Sequence, residues 1–314
     1  MSTFDHAYTF RSLPRFLSRS GVGSIRLSYE LLFRLPCLPR GTYLFTDFDR
    51  LSPTELEITA RVQERLRGAG LKVLNDPRRF LPRDALLKRL YREGVNRFTC
   101  HHPVFDECPD RFPVFLRTIS GHRGVLSDLL QDPAAAKAAL EAALDAGYPL
   151  RDLLFVEYAA EWDPETGGFH KHSAFKVGDR IIRANTVNEG SWMAKHGEPG
   201  MATPAQYRAE RIEMDAFPHE EFVRRVFAAA GLDFGRIDFG IVDGRPQAYE
   251  VNSNPYMRYK VQHENADRCE TIKMLQARLA GAIADLAEPT SRWPVSLRGC
   301  FRASKNLLRG PCRL

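Results

Sequence analysis

Residues 235–255 contain Gly235-Arg236-Ile237-Asp238-Phe239-Gly240 and, past an Asp243-Gly244 pair, Tyr249-Glu250-Val251-Asn252-Ser253-Asn254-Pro255. Arg236–Val242 and Gln247–Val251 read as two short β-strands joined across a strong turn pair. Two acids and an amide thus sit on neighbouring strands. All three offer oxygen ligands, the donor type that suits a hard cation such as Mg²⁺. The register decides whether they meet. A two-residue Asp243-Gly244 turn pairs Val242 with Arg245 and Asp238 with Tyr249, which sends Asp238 and Glu250 to opposite faces. A three-residue loop through Arg245 pairs Val242 with Pro246 and Asp238 with Glu250. Asp238, Glu250 and Asn252 then share one face, because side chains alternate with period two. Pro246 lacks an N–H and fits a bulged entry better than a regular ladder. Ile237, Phe239, Ile241, Tyr249 and Val251 form the other, buried face. Two like charges side by side on a sheet are unfavourable without a cation between them, which argues against ordinary solvent-facing acids.

The stretch R-I-D-F, a Gly-containing turn, then E-V-N-x-N-P resembles the metal-binding end of the ATP-grasp fold. The likeness is to the D-alanine–D-alanine ligase, glutathione synthetase and ribosomal S6 modification ligase group, and it covers roughly residues 42–287. The resemblance implies that Asp238, Glu250 and Asn252 hold two Mg²⁺ ions, with Mn²⁺ as the alternative metal, on the phosphates of ATP. It places Arg236 against the transferring phosphoryl group, where a guanidinium fork neutralises charge spread over phosphoryl oxygens.

Upstream, Phe112–Arg117 resembles the family strand that ends in a phosphate-binding Lys, here Arg117. Ser120–Gly124 resembles the flexible glycine loop over the phosphates, with Ser120, Gly121 and Gly124 as its contacts. The family's earlier Lys falls near Arg83, with Lys88 as the alternative. Arg is bulkier than Lys and prefers planar two-point contacts, so these departures bear on nucleotide geometry. Phe155-Val156-Glu157-Tyr158 looks like the adenine hinge, with Glu157 accepting from the adenine amino group. Either Glu161 or Asp163 meets the ribose. Lys176 and Arg183, on a hairpin around Gly178-Asp179, read more readily as solvated strand charges than as phosphate or acceptor contacts. Tyr256, with Arg258 and Lys260 behind it, narrows the substrate side and makes it cationic, which suits an anionic acceptor. Trp192, Lys195 and His196 lie in an irregular 188–205 stretch that reads as a substrate loop.

The rest of the chain has α/β grammar. Thr42–Thr46 and Leu71–Leu74 read as strands, and Pro53–Gly70 and Arg83–Arg92 as helices. An alanine-rich helix is expected near Pro133–Ala146, further helices over Glu220–Ala230 and Asn265–Ala287, and a strand over Leu153–Tyr158. The expected fold is α/β (α+β) with ATP-grasp architecture. A leader helix around Ser24–Arg34 opens residues 1–40. An N-terminal α/β unit spans 41–96, a lid 97–155, a C-terminal antiparallel-sheet unit 156–287 and a basic tail 288–314.

With 314 residues, 44% hydrophobic and 27% charged, the chain is an ordinary globular one. No apolar run approaches the roughly 20 residues of a membrane helix. The net charge of +6 is concentrated at the ends. Residues 291–314 hold six basic residues and no acid, and residues 1–40 hold six Arg against Asp5 and Glu30, so the body between is mildly acidic. A uniformly basic nucleic-acid binder would look different. The six cysteines contain no CxxC pair, and they read as reduced thiols in a cytoplasmic protein. Cys100-His101-His102 reads as a polar loop rather than a metal cluster. The Arg-rich start also resembles an organellar transit peptide, but a leader helix is favoured.

The leading function is an ATP-dependent ligase joining a carboxylate to an amine through an acyl phosphate, the substrates being small molecules or peptides. The alternatives are a small-molecule kinase in the same fold, or a non-catalytic nucleotide-binding module recruited through its basic termini. The tail reads as loosely held, with an amphipathic helix at Val295–Leu308 and an anionic-surface contact through residues 291–314 as its sharper reading.

Overall fold

The computed structural model describes residues 1–11, 13, 17, 20–105, 107–119, 124–257, 259–288 and 293–301. The N-terminal part contains helix α1 (Tyr29–Leu32), strands β1 (Cys37–Leu38) and β2 (Tyr43–Leu44), helix α2 (Pro53–Gly68), strand β3 (Val73–Leu74) and helix α3 (Arg83–Arg92). Strands β2 and β3 pair in parallel, with α2 as their crossover. Pro53 opens α2 inside a capping box of Ser52 and Glu55, and its apolar stripe of Ile58, Val62 and Leu66 is buried. The helix expected over Ser24–Arg34 shrinks to α1. Ser28, itself in extended backbone, is its N-cap and accepts from the Leu31 amide. Ile25 and Leu31 are exposed.

A second sheet, three-stranded and antiparallel, holds β4 (Cys100–His101), β5 (Val114–Thr118) and β6 (Leu153–Glu157) in the order β4-β6-β5, backed by helix α4 (Pro133–Asp145). Alternation sorts its two faces. Val114, Leu116, Leu153 and Phe155 pack on Ala136 and Ala143 of α4, whose small side chains let the helix lie close. Phe115, Leu154 and Val156 turn the other way, toward Leu87 and Phe98.

The third sheet holds β7 (Glu161–Asp163), β8 (Gly168–Val177), β9 (Arg180–Arg183), β10 (Val187–Glu189), β11 (Phe234–Val242) and β12 (Arg245–Asn252), with β8 in contact with four neighbours. Between β10 and β11 come helices α5 (Pro204–Glu213) and α6 (Glu220–Ala230), and α7 (Ala266–Ala284) follows β12. Val223, Val226 and Phe227 of α6 cover Ala174, Ile237, Phe239 and Ala248 on one face. Leu275, Leu279 and Ile283 of α7 cover Phe175, Val177 and Phe234 on the other. The 188–205 stretch is less irregular than expected, since α5 starts within it at a Thr203–Gln206 capping box with Pro204 in the first turn.

The β11–β12 hairpin reaches the pairing of Asp238 with Glu250 by a different route from the three-residue loop. Val242 pairs with Arg245 across a two-residue turn, with Asp243 at φ 50° and Gly244 at φ 71°, both in the left-handed region that such turns require. The ladder runs regularly to Phe239↔Ala248, then shifts by one residue, so that Asp238 faces Glu250 and Arg236 faces Asn252. Tyr249 is the extra residue, and the bulge lies there rather than at Pro246. Pro246 pairs with Ile241 at the position next to the turn, on a strand at the sheet edge, where a missing N–H costs the ladder nothing.

Strand β13 (Val295–Ser296) pairs antiparallel with β1, and Val295, Leu297 and Cys300 are buried in the N-terminal core. The segment 293–301 is therefore docked, not loosely held, and strand β13 takes the place of the start of the expected helix. Its apolar residues find a ready edge in β1. The remaining tail residues, 289–292 and 302–314, lie outside the described residues. Leu297→Ala should cost about 2–5 kcal/mol as a buried-cavity substitution, read as a lower urea midpoint with unchanged m-value. Among the described residues no helix is long and apolar enough to cross a membrane.

Candidate active site

Arg236 and Asp238 stand two residues apart on β11 and share a face. Arg236 Nε donates to Asp238 Oδ1 at 2.8 Å and Nη2 to Oδ2 at 3.1 Å, a two-point pair. Asp238 is buried, and Lys171 Nζ from β8 lies 3.8 Å from its Oδ2. Across the hairpin, Glu250 accepts a hydrogen bond from Arg83 Nη2 at the start of α3. Asn252 Oδ1 accepts from the Asn254 amide at 2.8 Å. Each carboxylate therefore faces a guanidinium, which relieves the repulsion that two neighbouring acids would otherwise carry. Burial works against the Arg236 charge, but Asp238 and Glu250 outweigh it and raise its pKa.

Asp238 and Glu250 open into a cleft of about 220 Å³ between the β4-β6-β5 sheet and the hairpin sheet. Part of its lining is aromatic. Trp192 packs on Phe115 with ring centroids 4.9 Å apart, and meets Tyr158 edge-on at 5.9 Å. Tyr249, expected on the buried face, is turned into this cleft by the bulge. Its hydroxyl lies over Gly240, where any Cβ would stand 2.0 Å from the oxygen. Its cationic lining is Arg117, Lys171 and Lys195. Arg117 Nε donates to Thr118 O at 3.4 Å. Burial, helped by Arg83, lowers its pKa to about 10. Gly124 borders the cleft at φ 84°, and a Cβ there would be 3.4 Å from Lys195 Nζ. Ser120, Gly121 and Arg258 lie outside the described residues.

No family model matches the chain, and no curated protein does. Solved structures do match. The ATP-grasp ligase PsnB, solved with a phosphomimetic variant of a minimal precursor, Mg and ADP, aligns at a TM-score of 0.53 and 13% identity, over 91% of this chain and 95% of that one. The RimK domain ATP-grasp protein of Sphaerobacter thermophilus aligns at 0.50 and 15%, over 90% of this chain and 96% of that one. The chain has the ATP-grasp fold.

Within this ATP-grasp chain, several candidates are already engaged. The Glu157 carboxylate takes hydrogen bonds from Arg111, from the Thr99 amide at 3.0 Å and from His101 at 3.1 Å, so it is not free for a base. The Tyr158 amide donates to Pro113 O at 2.9 Å, while its ring lines the cleft. Lys88 pairs with Glu107 at 2.6 Å, which leaves Arg83 as the cation nearest the acids. Lys176 pairs with Asp233, away from the cleft. Arg183 is not a solvated charge. It is buried and bonded to Glu213 and Thr186. His102 pairs with Asp84 at 3.1 Å. Tyr256 is 43% exposed.

Neither Glu161 nor Asp163 lines the cleft. Burial pushes the Glu161 carboxyl up, but bonds from His170, His172 and the Ile241 amide outweigh it and hold its pKa at about 2. Ile241 lies past the end of the β8–β11 ladder, so Glu161 supplies the acceptor the strand lacks. A depressed pKa stabilises the fold above the ordinary value of 4.5, and that contribution is lost as pH falls toward 2. Glu161→Gln should thus cost roughly 3 kcal/mol at neutral pH and flatten the acid limb of a stability–pH profile between pH 4.5 and 2.

Sequence reasoning missed two contributors. Lys171 reads as one polar residue among His170 and His172, with no motif to mark it. Asp49 comes from the turn after β2 and lines a recess with Arg83, Glu250 and Asn252. Burial, with Glu250 adding to it and Arg83 opposing it, raises its carboxyl to about 6. Only tertiary structure brings these residues to the acids.

Proposed function

We propose that this chain is an ATP- and Mg²⁺-dependent ligase that joins a carboxylate to an amine. The reading rests on one observation: Asp238, paired with Arg236, and Glu250 line one cleft together with the cations Arg117, Lys171 and Lys195 and the aromatic rings of Phe115, Tyr158 and Trp192. Two carboxylates and an amide oxygen suit Mg²⁺ by their donor type, and Asp238, Glu250 and Asn252 are the residues that would hold it. When bound, the metal neutralises phosphate charge. Arg117, Lys171 and Lys195 bind the phosphate chain, with Arg83 turning from Glu250 to join them. Tyr158, Phe115 and Trp192 hold the base by stacking, and main-chain groups of the hinge serve its edge in place of the occupied Glu157 carboxylate. A similar solved structure, PsnB, is an ATP-grasp ligase, which supports the reaction class.

The chemistry needs no side-chain nucleophile. A substrate carboxylate oxygen attacks the γ-phosphorus and ADP leaves. The amine nitrogen then attacks the acyl carbon, phosphate departs with that oxygen, and the ammonium proton passes to solvent. The chain positions the partners and neutralises the developing charge, with Arg236 beside the transferring group. Incubation with ATP, Mg²⁺ and mixed carboxylates and amines should release ADP and phosphate only when both substrate classes are present. A stable phosphorylated product formed without amine would favour a kinase instead. Arg117→Ala should weaken ATP binding on the order of 10- to 100-fold while leaving adenosine affinity nearly unchanged, as measured by calorimetry.

A further inference from the structure

Helix α5 closes a second cavity, of about 130 Å³, against β8 and the edge of the sheet. It shares only His170 with the cleft and otherwise lies on the other side of the sheet: His172 pairs with Phe239, the two rings tilted with centroids 5.3 Å apart, on the opposite face from Asp238. Its lining is charged and deeply buried. Arg183 spends its guanidinium on the protein, through Glu213, Thr186 and the Ser173 and Ala184 carbonyls. Glu210 and Arg268 do not close their bonding in the same way. Glu210, 5% exposed, accepts the Thr186 amide on Oε2, but its Oε1 has no hydrogen bond, although Arg268 Nη1 lies 3.3 Å away as an ion pair. Arg268, 6% exposed, donates Nη2 to Thr186 O and rests on the Tyr207 ring, while its Nε has no hydrogen-bond partner. His170 Nε2, 3.3 Å from Asp163, is the third such atom.

Buried polar atoms without hydrogen bonds cost about 1–3 kcal/mol each, and three around one cavity call for a guest that completes them. The space greatly exceeds the roughly 10–15 Å³ one water needs. We propose that this cavity binds a small zwitterion of the α-amino-acid class, its carboxylate on Arg268 Nε and His170 Nε2 and its ammonium on Glu210 Oε1. A simple anion meets Glu210 and Glu213, and a simple amine meets Arg183 and Arg268, so only a ligand carrying both charges is matched on every side. The site does not depend on the ligase reading, since no group of the nucleotide is used.

Calorimetry on the full chain without nucleotide tests this, with glycine, alanine and serine as probes and acetate and ethylamine as half-ligands. Saturable binding of at least one amino acid is expected, with both half-ligands far weaker. Glu210→Gln keeps an acceptor for the Thr186 amide and should weaken binding about tenfold or more. Ala202→Leu, which fills the cavity, should remove binding. Absence of binding by all three amino acids to the unsubstituted chain means the cavity holds only water and overturns the proposal. Acetate binding as tightly as the amino acids also overturns it, as does undiminished binding in the folded Ala202→Leu variant.

Discussion

Glu250→Gln is expected to abolish Mg²⁺-dependent ATP binding, with an affinity loss on the order of 100-fold or more, and to leave the fold in place. Gln keeps the shape of the side chain and still accepts from Arg83, the partner of Glu250. Pairing with Asp238 is a property of the strands, set by the Asp243-Gly244 turn and the bulge at Tyr249. What disappears is one of the two carboxylate charges on which a hard cation depends. Affinity measured in excess chelator should change little, because the aromatic lining of the cleft and Arg117 remain. Titrations of ATP with and without Mg²⁺ check this, and a Gln variant with intact Mg²⁺ dependence would contradict the assignment.

Arg236→Ala should lower turnover on the order of 10²- to 10³-fold with little change in ATP affinity, the pattern of an interaction made mainly in the transition state. Arg236 forms a two-point pair with Asp238, so its loss also leaves that buried acid with Lys171 alone at 3.8 Å. Arg236→Lys separates the two effects. Lys returns the charge beside Asp238 but not the planar fork. Recovery of nucleotide affinity without recovery of turnover in the Lys variant identifies the fork as the catalytic feature. A parallel loss of both in the Ala variant would assign Arg236 to holding Asp238 instead.

Much of the fold was legible because local signals agreed with tertiary demand. Arg83–Arg92 and Glu220–Ala230 coincide with the expected helices, since each has an apolar stripe and a clear stop, with Gly231 at φ 70° closing the second. Strand β8 was legible only at its C-terminal end. Its first half, Gly168-Phe169-His170-Lys171-His172, is polar because one side faces the cleft beside Asp238 and the other the cavity under α5, so no hydrophobic alternation marks it. Helix α5 carried a legible signal in Thr203-Pro204 and Gln206, set against a weak apolar pattern. The docking of residues 293–301 was hidden because β1 is two residues long and an edge that short has no periodicity of its own. The acids of the candidate site were legible as a motif, whereas their guanidinium partners come from separate elements. Arg83 meets Glu250 from 167 residues away in the chain, a distance at which composition and spacing are silent.

The most direct test of the account is a crystal structure of the full chain grown with Mn²⁺ and a non-hydrolysable ATP analogue, with the metal located by its anomalous scattering. The predicted result is a metal peak between the Asp238 and Glu250 carboxylates, with the base against Tyr158 and Trp192 and the phosphates toward Arg117 and Lys195. A nucleotide bound elsewhere, or one in this cleft with no metal peak between Asp238 and Glu250, would contradict it.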